Sequence, residues 1–154
     1  MSYAFEVVID APIDVVFDYI HNDEKIKEWN TFIVENRYLD GASKENPHVG
    51  DRYLSIQKIG KKMIEVEVEL LEYDAPYVAA VGGDMKEGYS VTTYMLEEKS
   101  DGTLLTMMVE YEPRNFYYKL LYKVTSWMTR AVYMQQVERL VECVESEYNK
   151  NEVI

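Results

Sequence analysis

Few side chains in this chain are of a type and spacing that could do chemistry. The two histidines, His21 and His48, each fall in a segment that reads as a loop. Neither belongs to a cluster with metal-ligand spacing, so no metal site is expected. Cys143 is the one cysteine, has no histidine or basic residue adjacent to it, and reads as a packed thiol. Work by paired carboxylates needs two acids in different environments, and the acids here fall on expected solvent faces, as Glu65, Glu67 and Glu69 do. There is no nucleophile motif and no glycine-rich phosphate loop; Gly82-Gly83 alone reads as a turn. Arg114 is the remaining polar candidate, at the start of the last helix beside Tyr111, Tyr117 and Tyr118. A guanidinium there could hold a ligand carboxylate or an enolate, or simply stand in solvent. Trp29 could close the end of a pocket or pack short helices. No cofactor is expected.

Those candidates sit in a chain of 154 residues, expected to form a single domain over 1–154 with a sizeable core. A net charge of −12 argues against nucleic acid, since Lys and Arg supply most phosphate affinity, and it disfavours anionic membrane surfaces. One cysteine excludes an internal disulfide and fits a reducing, cytoplasmic setting. The start of the chain has no basic residues followed by an apolar run, so no signal peptide is expected, and no window is long enough for a membrane span. Fourteen tyrosines and eight methionines are the one oddity. Tyr offers an apolar body with a polar tip and Met a soft filler, which suits a semi-polar cavity as well as a plain core.

Read in order, Phe5, Val7 and Ile9 share one face of a first strand, which Asp10-Ala11-Pro12 stops. Pro12 opens a short helix whose stripe is Ile13, Val16, Phe17 and Ile20, and Asn22 or Asp23 caps a second one to about Glu28. Strands then follow over 32–39, 52–59, 64–70, 77–82, 89–97 and 103–112, separated by turn residues such as Gly60-Lys61 and Asp101-Gly102. The strand with Ile64, Val66, Val68 and Leu70 alternating against glutamates has one buried and one solvated face.

From Pro113 to about Lys150 there is no internal Pro or Gly, so one helix of roughly 54 Å is expected. Its apolar line runs Leu120, Val124, Trp127, Ala131, Met134, with Tyr117, Leu121 and Met128 beside it, and continues through Val137, Val141, Val144 and Tyr148. The second half carries its acids on the other side. The first half is aromatic and Met-rich nearly all round, as befits a cavity mouth, another subunit's contact or a wider core. The fold class expected is α+β: a curved antiparallel sheet of about six to seven strands gripping a long C-terminal helix, with two short helices after strand 1.

The run Ile9-Asp10-Ala11-Pro12-Ile13-Asp14-Val15-Val16-Phe17-Asp18-Tyr19-Ile20 followed by Trp29 resembles the opening of the START-like helix-grip (SRPBCC) superfamily. Gly50 before a strand, the Asp74-Ala75-Pro76 corner, Gly102-Thr103-Leu104 and the late Leu140-Val141-Glu142 agree, so the resemblance spans the chain. That superfamily includes polyketide cyclase/dehydrase and lipid-transport proteins, the birch-pollen-allergen class and a chaperone-activator class. The resemblance implies an apolar pocket between sheet and terminal helix, opening near the helix's first part.

Three functional readings follow. The first is non-catalytic binding of a small hydrophobic or aromatic molecule, lipid-like or polyketide-like, by Trp29, Tyr94, Met107, Val109, Tyr111, Arg114, Tyr117, Leu121, Val124, Thr125 and Met128. The second is a cyclase or dehydratase in which Tyr hydroxyls and Arg114 stabilise an enolate, which requires Arg114 and Tyr94 or Tyr111 to meet in one pocket. The third is a protein-interaction module presenting the aromatic first half of the helix as an exposed patch. Either a monomer or a homodimer is compatible with the sequence.

Overall fold

The structure is a computed structural model that describes residues 1–152, with side-chain surroundings for 1–149. The first strand, β1 (Ser2–Ile9), buries Tyr3, Phe5 and Ile9 by strict alternation. Helix α1 (Ile13–His21) starts behind Pro12, carries Asp14 in its first turn, and buries Ile13, Val16, Phe17 and Ile20. Helix α2 (Asp23–Trp29) is capped by Asn22, whose side chain accepts from the Glu24 amide at 3.0 Å.

Six strands follow: β2 (Ile33–Tyr38), β3 (Arg52–Ile59), β4 (Lys62–Asp74), β5 (Val78–Asp84), β6 (Gly88–Lys99) and β7 (Gly102–Pro113). The chain ends in α3 (Phe116–Glu152), a helix of 37 residues. All seven strands form one antiparallel sheet in the order β1-β7-β6-β5-β4-β3-β2. The first two strands in sequence are therefore the two edges, and α1 with α2 carries the chain from one edge to the other. Register shifts at Ile33/Glu35 and Leu70/Glu72 add local twist. The second shift changes the phase of β4, so that Val66, Val68 and Leu70 share the inward face with Tyr73 rather than with Glu72.

Gly82-Gly83 does not end β5 as a turn; the strand continues through Asp84. A Cβ at position 82 would meet the hydroxyl end of the exposed Tyr89 side chain, which would have to swing aside. Trp29 is the last residue of α2 rather than the first beyond it.

The core has two parts. One joins α1, α2 and the second half of α3 around Ile9, Val16, Trp29, Leu105, Leu140 and Val144, and the other sets Tyr3, Phe5, Met107 and Val109 against Val137. Helix α3 thus leans on β1, β7, α1 and α2. Its buried line is Val137, Leu140 and Val144, with Val141 and Tyr148 packed beside it as the sequence-based stripe expects; the first half of that stripe is corrected, since there the half-buried Tyr122 and Tyr133 face the core. Leu120, Val124, Trp127 and Met134 are 52%, 65%, 70% and 46% exposed, and Ala131 is exposed beside them. The first half of α3 is apolar on two opposite faces, so periodicity alone offers two stripes. Shape complementarity to β1 and β7 selects the tyrosine-bearing one.

Candidate functional site

Because α3 rests on the β1–β7 side, Tyr53, Gln57, Ile64, Val81, Thr92 and Tyr94 on the inward faces of β3 to β6 stay only half-buried, whereas Ser55, Val66 and Val68 between them are buried. In register across them lie Tyr53, Ser55 and Gln57 on β3, Ile64, Val66 and Val68 on β4, Val81 on β5, and Thr92 and Tyr94 on β6. Tyr94 pairs with Met107 and Thr92 with Val109 on β7, so phenol and hydroxyl groups adjoin an apolar floor. Met107 and Val109 are buried at 3% and 2%, whereas Tyr94, Thr92, Val81 and Tyr53 are half-buried.

Burial pushes the Tyr94 hydroxyl above the ordinary phenol value, and the neighbouring Tyr133 and Tyr53 hydroxyls push it the same way. Tyr53 is raised by burial and then by the Asp23 carboxylate, and Tyr133 by burial and then by Tyr3. Among the described residues none of the three phenols has a hydrogen-bond partner on the protein, and none is a sealed, unpartnered atom. Their hydroxyls therefore open onto accessible space, as neutral donors and acceptors available to a guest.

The rim nearest α2 is polar. Tyr38 donates to the Asp23 carboxylate at 2.8 Å and packs its ring, tilted by 39°, against Tyr53 with centroids 5.3 Å apart. Asn36 donates to the other Asp23 oxygen at 3.1 Å, and its own Oδ1 is buried without a partner. Asp23, Asn36 and Tyr38 line a cleft of about 340 Å³ between α2, β2 and the loop that follows. A second, shallower cleft of about 650 Å³ lies at the other end, walled by Phe17, His21, Tyr73, Pro76 and Tyr148. There His21 packs against Tyr73 at 5.2 Å and Phe17 at 5.9 Å, and burial lowers its pKa.

The residues expected from sequence fall into separate groups. Tyr94, Met107 and Val109 come together on the concave face. Tyr111 is at the far end of the same strand, half-buried, stacked on Tyr122 at 5.1 Å and donating to the Glu87 carbonyl at 2.9 Å. Trp29 is a packing residue, 2% exposed, with its indole N–H on the Tyr19 carbonyl at 2.8 Å.

Tyr117, Leu121, Val124 and Met128 are 66%, 42%, 65% and 51% exposed and are not brought to the concave face. Thr125 is half-buried and returns its hydroxyl to the Leu121 carbonyl at 2.8 Å. Arg114 is held at the β5–β6 hairpin by the Asp84 carboxylate at 2.6 Å and by the carbonyls of Met85 at 2.8 Å and Lys86 at 3.2 Å. Tyr94 stands mid-sheet away from it, while Tyr111 is tied to the same hairpin with its hydroxyl donated to the Glu87 carbonyl, so the guanidinium and both phenols are not gathered at one pocket. Reading the sequence did not single out Tyr53, Tyr133, Tyr38 and Asn36. In β3 the apolar pair Leu54 and Ile56 alternates with Tyr53, Ser55 and Gln57, and only the register reveals that the polar set faces inward.

With that geometry in hand, the sequence matches the polyketide cyclase / dehydrase and lipid transport family over residues 2–145. The chain belongs to this family. Its helix-grip fold suits the binding of hydrophobic ligands. No curated protein sequence matches the chain. Among solved structures, a Thermus thermophilus protein superposes with a TM-score of 0.73 at 15% identity, covering 96% of this chain and 99% of that one. A Mesorhizobium loti protein gives 0.71 at 16% identity, covering 95% and 98%. Ara h 8.0201 gives 0.68 at 12% identity, covering 97% and 98%. At these identities the likeness concerns the fold. Among the described residues no helix is long and apolar enough to cross a membrane, and no acid, histidine or cysteine cluster could hold a metal ion.

Proposed function

We propose that this helix-grip protein binds a small hydrophobic or aromatic molecule, lipid-like or polyketide-like, against the concave face of its sheet. The guest lies against the half-buried Val81 and Thr92, over a floor that Met107, Val109 and Val68 fill from beneath, and takes hydrogen bonds from Tyr94, Tyr53 and Tyr133. The observation that carries this reading is Tyr94, which stands mid-sheet with a hydroxyl that no protein group satisfies, beside apolar side chains from two neighbouring strands. An oriented phenol on an apolar surface recognises a ligand carbonyl or hydroxyl and supplies no nucleophile or base at neutral pH.

The test combines native mass spectrometry of the protein purified from its own host with titration of the co-purifying molecule. Tyr94→Phe should retain the fold and weaken binding about tenfold, the worth of one hydrogen bond. Tyr94→Trp, which fills the recess, should abolish it. Purification free of any small molecule, together with a Tyr94→Trp variant that takes up an apolar fluorophore as the native chain does, would sink the reading.

A further inference from the structure

The outward face of the first half of α3 has no partner in the fold. Phe116, Tyr117, Leu120, Val124, Trp127 and Met128 are exposed at 77%, 66%, 52%, 65%, 70% and 51%. They fall on the side opposite Tyr122, Tyr133 and Leu140, which face the sheet and the core. An aromatic side chain carries about 150–250 Å². The three exposed aromatics therefore present on the order of 400 Å², and the aliphatic members take the patch beyond what most monomers leave uncovered.

The charge around this face is unlike the rest of the chain. There are 28 acidic residues in the sequence, yet none between Pro113 and Val137, where Arg114, Lys119, Lys123 and Arg130 are the only charged side chains. Arg114 is taken by Asp84. Lys119, Lys123 and Arg130 are exposed, and among the described residues none has a carboxylate partner; Arg130 rests over the Phe5 ring at 5.3 Å. Glu6, Glu110 and Glu112 sit on the convex face of the sheet, on the other side from α3. Glu138 follows Trp127 by roughly 16 Å along the axis. That is about two Debye lengths at physiological salt, so the acids of the second half of α3 are largely screened from Trp127, while Asp84 at the start of the helix is paired with Arg114.

We infer that this face of α3 docks on the surface of an anionic lipid bilayer, with the aromatic and aliphatic stripe at the headgroup boundary and Lys119 and Lys123 on its flank reaching lipid phosphates, Arg130 being turned to the Phe5 ring. A basic helix with Trp, Phe and Leu on one side has the build of an interfacial helix. A second copy of the chain fits less well. Two such faces pressed together would oppose their lysines with no carboxylate from either segment between them. The inference is independent of which molecule occupies the concave face.

Vesicle co-sedimentation of the full chain tests it, with phosphatidylcholine vesicles prepared with and without phosphatidylglycerol. The protein should bind the phosphatidylglycerol vesicles, and the Trp127 emission should shift to the blue, since Trp29 is already buried. Neutralising Lys119 and Lys123 together to Gln should weaken that binding about twenty-five-fold, at about fivefold per charge near an anionic surface. Leu120→Glu with Trp127→Glu should abolish binding while leaving the far-ultraviolet circular dichroism unchanged. Three results would overturn the inference. One is no binding to the phosphatidylglycerol vesicles, and another is native binding by the Leu120→Glu/Trp127→Glu variant. The third is a dimer in sedimentation that this variant converts to monomer, which would make the face a contact between copies.

Discussion

Leu140 and Leu120 lie on the same helix and differ only in which way α3 is turned. Leu140 is 0% exposed in the core formed with α1 and α2, and Leu120 is 52% exposed on the outward face. Truncating Leu140 to Ala deletes three buried carbons, about 2.4 kcal/mol at roughly 0.8 kcal/mol per methylene. A residual cavity brings the cost to about 3–4 kcal/mol. In a domain of this size each kcal/mol moves the melting temperature by about 2–4 °C, so a fall of roughly 6–16 °C is expected. Leu120→Ala removes the same atoms from water-facing surface and should change stability by less than about 0.5 kcal/mol. Urea unfolding followed by circular dichroism at low protein concentration measures both, and the buried Trp29 provides a second probe of the same transition. Equal costs for the two variants, or a larger one for Leu120→Ala, would show that the helix is turned the other way and would refute the face assignment.

Two further outcomes concern polar groups. Arg114→Ala should leave affinity for the concave-face ligand unchanged and cost less than about 1 kcal/mol, because its ion pair with Asp84 is half exposed; a large loss of affinity in the same titration would return Arg114 to the site. The phenols of Tyr94, Tyr53 and Tyr133 are raised by burial, so the folded state holds their protons more tightly than the unfolded state does. Their contribution to stability is therefore complete below about pH 10, the unfolded phenol value, and falls as pH climbs above it. Spectroscopic titration of tyrosinate should show these residues ionising after the exposed ones, and Tyr94→Phe should reduce the late component. Ionisation of every tyrosine in one step near pH 10 would contradict their burial.

Net charge taken over the whole chain disfavours an anionic surface, and the proposed docking face rests instead on the local charge of α3. The acids are spread over β4, the convex face and the second half of α3, while residues 113–137 have none. At physiological salt screening acts over about 8 Å, so a partner responds more to the local helix face than to the sum.

Local physics made much of the fold legible in the one-dimensional pattern. Alternation marked the strands, Pro12 and Asn22 marked the helix starts, and the long stretch without Pro or Gly marked α3. Each of these depends on residues close in sequence. The concave face was legible only through Tyr94, Met107 and Val109, whose strands carry clear periodicity. Tyr53, Asn36 and Tyr38 were hidden because an inward polar residue looks, strand by strand, like an outward one.

Backbone propensity, turn chemistry and apolar spacing, all contained in the chain itself, determined which elements form and in what order. Tertiary packing alone decided which of two apolar faces α3 buries and which hydroxyls end inside the curve of the sheet. The physical reason is that periodicity defines faces relative to an element's own axis. Only contact with β1 and β7, more than a hundred residues away for Tyr3 and Ser126, chooses among them.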